Sequence, residues 1–163
     1  MRHAEVGELL DYLAWMRDRI LAATADLTET EFRSAETVTT RDLRGTLAHQ
    51  IENEWAWRIR LSEGAFPVGD VLPEDFATLD ALVGRWRHEE QALHEWFDGL
   101  SDAELAAPPP GDDNRLATWR YLLYVVNHGI TQFTEAAVLL TRLGRSPGEL
   151  GYLAFCSAKV TSA

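Results

Sequence analysis

Residues 118–143 read TWRYLLYVVNHGITQFTEAAVLLTRL, and the spacing of the apolar side chains in this stretch decides the fold. Trp119, Leu123, Val126, Ile130, Phe133, Ala137 and Leu140 recur every three or four residues, the period of one helix face. Tyr121, Val125, Leu139 and Leu143 fall on roughly the opposite side, with His128, Gln132 and Glu135 among them. A helix apolar nearly all round is buried nearly all round. This helix is therefore expected at the centre of the molecule, its extra face covered by the terminal segment or by a second copy of the chain in a homodimer. Thr118 is placed to cap it and Gly144 to end it.

Working outward, three more long helices precede it. Leu9, Leu13, Met16, Ile20 and Ala23 share one stripe and predict a helix over about 4–25. Thr28 and Glu31 have capping-box spacing and predict a short helical turn. Thr40 is a candidate cap for a second long helix running to about Ser62 and stopped by Gly64, with Leu43, Leu47, Ile51 and Leu61 inward. Phe66, Pro67, Gly69 and Pro73 mark a crossover loop. A third long helix is expected over roughly 75–99, burying Leu79, Leu82, Val83, Trp86, Leu93 and Phe97. The run from Ala106 through three prolines to Asn114 reads as an internal loop, and a short terminal helix is expected around 149–156. The pattern predicts one all-α domain over residues 1–163, a four-helix bundle.

Composition narrows the function. The formal net charge of −11 repels phosphate backbones, and no Lys/Arg cluster offsets it, so nucleic acid is excluded as a partner. No apolar run is long enough to cross a bilayer and the N-terminal stretch is amphipathic, so a cytoplasmic protein without a membrane partner is expected. The single cysteine, Cys156, fits a reducing compartment and is expected as a buried thiol without a basic neighbour. His3 is expected in solvent, and His88 and His94 on an exposed, salt-bridged face with Glu89, Glu90 and Glu95. Neither a nucleophilic-serine turn, a P-loop nor a dinucleotide-binding glycine pattern is present.

What chemistry there is must come from polar residues on the helices. Asn53 and Trp57 follow His49 at successive four-residue steps, so Trp57 is expected to line any pocket at His49. Gln132 and Glu135 share the face of His128. Two imidazoles brought together inside a bundle are a common way to hold zinc, nickel, copper or iron. The competing reading makes both histidines inert core or interface residues.

The segments LAHQIENEWAW at 47–57 and NHGITQFTEAAVLLTRLG at 127–144 resemble the two signature helices of the DinB/YfiT-like superfamily. The opening LLDYLAWMRDRI, the LTETEF turn and the TTRDLRGTLAH approach to His49 extend that resemblance over nearly the whole chain. It implies an up-down-down-up four-helix bundle with a crossover loop, often dimeric, carrying a divalent metal, usually zinc or nickel, on three histidines. It also implies thiol-dependent S-transferase chemistry, known for some members. His49 then matches the first ligand and His128 the second, but the third position, four residues after His128, holds Gln132.

A glutamine amide oxygen is a poorer partner for zinc than imidazole nitrogen. Gln132 is therefore a weak third ligand, or Glu52 or Glu135 completes a two-histidine, one-carboxylate set, or the site has lost its metal and Gln132 hydrogen-bonds a histidine. Two functions follow. In one, a metal activates a small-molecule thiol for transfer. In the other, a non-catalytic dimer binds a small apolar molecule or serves in a stress response.

Overall fold

In the computed structural model, which describes residues 1–161, each helix start shows why it lies where it does. Thr28 accepts from the Glu31 N–H at 3.2 Å, and Glu31 reaches back to the Thr28 N–H at 2.8 Å, the reciprocal box expected from the sequence. The second long helix is capped by Asp42, which accepts from the Gly45 N–H at 2.7 Å, and not by Thr40. A carboxylate at this position also meets the positive end of the helix dipole, an advantage that Thr40 lacks. Thr118 does not cap the last long helix either. Its N–H and hydroxyl both donate to the Ala107 carbonyl, at 2.8 and 2.9 Å, which fastens the helix start to the preceding loop.

The elements are α1 (His3–Thr24), α2 (Glu29–Phe32), α3 (Leu43–Glu63), a 3-10 turn (Pro73–Asp75), α4 (Leu79–Asp98), α5 (Asp102–Ala106), α6 (Thr118–Arg142) and α7 (Tyr152–Thr161). No strand occurs among the described residues. The third long helix starts later than expected because Pro73 opens a separate turn and Thr78 supplies the cap. The terminal helix also starts later: Gly148 takes a left-handed φ of 77°, and Glu149 folds back to accept from the Gly151 N–H at 2.8 Å. No helix among the described residues is long and apolar enough to cross a membrane.

The helix α6 packs against both α1 and α3, and α3 packs against α4. Buried positions on α6 form one broad face that includes Leu122, Val126, Gly129, Phe133, Ala136 and Leu140. Val125 and Leu139, expected on an opposite side, belong to this same buried face, because neighbouring helices cover α6 from two directions. Its solvated side carries Asn127, Thr131 and Thr134 with Tyr124, 46% exposed. Below it Trp86 stacks on Phe133 at 5.5 Å, beside Met16, Ile20, Leu47, Ile51 and Leu82.

This core contains charges that periodicity does not reveal. Glu54, 5% exposed, accepts from the Gln50 amide at 2.7 Å and from the Trp86 indole N–H at 3.0 Å. Burial pushes its carboxyl above the usual carboxylate range, opposed by those two bonds and by Arg17. Arg17 is buried and pairs with Glu90. Glu89, expected on an exposed face, is buried and takes Arg58 and Arg85, each at 2.9 Å. The long guanidinium side chains of Arg58 and Arg85 reach that depth.

Candidate site between two helices

Helices α3 and α6 bring His49 and His128 together with ring centroids 5.1 Å apart and planes inclined by 70°. Their approach depends on Gly129, next to His128. A Cβ there would collide with the Leu13 side chain and lie 2.9 Å from the Gln50 amide nitrogen, so a side chain would push α6 away from both neighbours.

The two imidazoles differ in their surroundings. His49 is half-buried, and its Nδ1–H donates to Glu52 at 3.0 Å. That bond leaves the lone pair on Nε2, the arrangement in which an outer carboxylate orients a ligating histidine. Glu52 is thus engaged through His49. His128 has a buried Nε2 without a hydrogen-bond partner. Desolvation lowers its pKa below the usual histidine value, reinforced by His49 and Arg41 nearby. A neutral His128 at neutral pH keeps a lone pair free.

One turn beyond His128, Gln132 is 6% exposed and its Oε1 is also buried without a donor. One turn beyond His49, Asn53 Oδ1 is in the same condition. Such unpaired buried oxygens are costly. Glu135, by contrast, accepts from the Thr39 hydroxyl at 3.2 Å, and no contact ties it to either imidazole. Among the described residues, no group of three or more His, Cys, Asp or Glu side chains gathers in a way that could hold a metal ion.

An aromatic rim closes one side. Trp57 lies 5.5 Å from Tyr121, 5.1 Å from Tyr124 and 5.2 Å from Phe66, and Tyr124 continues to His128 at 6.0 Å. Trp57 is legible from its spacing to His49. Phe66 and Tyr124 are not, since one comes from the crossover loop and the other from the solvated side of α6. Two open cavities, of about 360 and 280 Å³, meet at His49 and Glu52.

Residues 1–161 match the DinB family. This chain belongs to the DinB family. No curated protein matches it. The DinB match spans α1 to α7, so the helices carrying His49 and His128 lie inside it.

Other DinB-chain residues depart from expectation. His3 is not solvated: its ring stacks on Phe97 at 4.2 Å and its Nε2 lies 3.0 Å from the Phe97 carbonyl. His88 is exposed, whereas His94 turns into a crevice with Arg17 and Glu54. Cys156 is half-buried against the core, and Lys159 lies within its electrostatic reach.

The lowered pKa of His128 has a pH consequence. Its folded value lies below the unfolded value of about 6.5, so the stability it contributes is complete above that pH and is lost as pH falls through the folded pKa. An NMR titration of the ring proton is expected to show His128 protonating below pH ~6.5; a midpoint at or above that value would contradict the burial argument.

Proposed function

We propose that His49 and His128 hold a divalent metal, zinc or nickel, with Gln132 as a weak third donor, and that the site activates a small-molecule thiol for transfer to an electrophile. The observation that carries this reading is the pair of imidazoles at 5.1 Å. Two imidazoles on one tetrahedral ion, with metal–nitrogen distances of about 2.1 Å, place their ring centroids about 5 Å apart. The orphaned His128 Nε2 and Gln132 Oε1 add two buried atoms that lack a partner in the bare protein. A divalent ion bound here would supply Lewis acidity, lowering the pKa of a thiol or water that fills its open position.

The chain's own residues would do the rest. Glu52 fixes the tautomer and orientation of His49. Gln132 orients toward the bound group through a neutral oxygen that adds no charge. Trp57 and Phe66 shield the site and offer an apolar wall to the electrophile. In the transfer, a carbon–sulfur bond forms as the carbon–leaving-group bond breaks, and the thiol proton passes to solvent.

A second reading is favoured by one observation: the third position holds an amide, and no three-member set of usual ligands forms among the described residues. In that reading the pocket binds a small apolar molecule without metal, in a non-catalytic dimer with a role in stress. A single assay separates the two. Protein loaded with zinc or nickel is expected to accelerate attack of a small thiol on chlorodinitrobenzene, with chloride released, and to lose this on chelation. Equal rates before and after chelation would support the second reading.

A further inference from the structure

The cavity of about 280 Å³ on the Trp57 side of His49 has a consistent character. Trp57 and Phe66 form a corner of it, with their rings inclined by 80°. Glu52 and Asp70 line it as carboxylates, and no Lys or Arg among the described residues does. Asn53, 9% exposed, lines the same cavity with its amide oxygen unpaired. The Glu52 and Asp70 carboxylates and the Asn53 amide oxygen are hydrogen-bond acceptors, and the two carboxylates attract positive charge. The aromatic corner adds the negative face of a π system.

We infer that this cavity binds an organic primary amine on an apolar or aromatic body, its ammonium among Glu52, Asp70 and Asn53 and its body against Trp57 and Phe66. An ammonium has three donors and no acceptor, the complement of such a lining. A carboxylate ligand would meet only like charge, and a neutral alcohol would forgo both the ion pairs and the cation–π contact. The chain's net charge of −11 favours the same sign of ligand at longer range. The inference names a ligand class for the site just proposed but requires no metal there.

The test uses the whole chain stripped with EDTA, so that failure of the metal reading leaves its outcome untouched. Binding of 2-phenylethylamine, 2-phenylethanol and 3-phenylpropionate is followed by NMR through the indole N–H signal of Trp57. The amine is expected to saturate, the alcohol to bind about tenfold more weakly, and the carboxylate not to bind. Asp70 is exposed on the crossover loop, so Asp70→Lys can be made without disturbing the core. This variant is expected to weaken the amine about tenfold and to leave the alcohol unchanged. Phe66→Ala is expected to weaken both. Equal binding of amine and alcohol, preference for the carboxylate, or an amine affinity indifferent to Asp70→Lys would each overturn the inference.

Discussion

Trp86→Ala is expected to cost about 3–5 kcal/mol of stability, a large share of what a domain of this size possesses. Trp86 is fully buried and stacks on Phe133, so truncation leaves a cavity at the centre of α3, α4 and α6. It also removes the indole N–H that serves Glu54, leaving a buried carboxyl with the Gln50 amide alone. Trp86→Phe isolates the second effect. It keeps most of the volume but loses the donor, and is expected to cost about 1–3 kcal/mol. Urea denaturation followed by circular dichroism measures both. Equal costs for the two variants would mean that the lost packing adds nothing beyond the lost bond to Glu54, and a Trp86→Phe variant as stable as the parent would mean that the bond itself contributes nothing.

Gln132→His is expected to tighten zinc or nickel binding by at least about tenfold, equivalent to about 1.4 kcal/mol. The residue lies one turn after His128 on the same buried face, so the new imidazole enters beside an existing one. Nitrogen replaces an amide oxygen at a position already closed to solvent, and the set becomes three imidazoles with His49. A metal that binds only the folded chain also stabilises it, so the melting temperature of Gln132→His should rise with added zinc more than that of the parent. Identical metal responses of parent and variant would show that Gln132 does not face the ion.

The helices were readable because their apolar stripes repeat with helical period, and the stops at Gly64 and Gly144 follow from glycine's access to left-handed φ. Caps were harder. Thr40, Asp42 and Thr118 are all good cap types, and choosing among them depends on where tertiary packing lets the helix begin. The buried charges were not readable at all. Glu54, Glu89 and Arg17 look like a solvated face in one helix, and only partners on other helices make their burial tolerable.

The candidate site divides the same way. The facing of His49 and His128 follows from the family resemblance, and Trp57 from a four-residue step. The rim supplied by Phe66, Tyr121 and Tyr124 depends on how the crossover loop lies against α3 and α6, which no local spacing encodes. Glu52, weighed as an alternative ligand, bonds to His49 because a step of three residues on a helix places the two side chains in contact.

The central claim is that two imidazoles on different helices share one ion, and calorimetric titration of metal-free protein with zinc tests it most directly. The parent chain should show a single saturable site that His49→Ala and His128→Ala each abolish, with circular dichroism confirming that both variants remain folded. Unchanged titration curves in either variant, or no saturable site in the parent, would contradict the account.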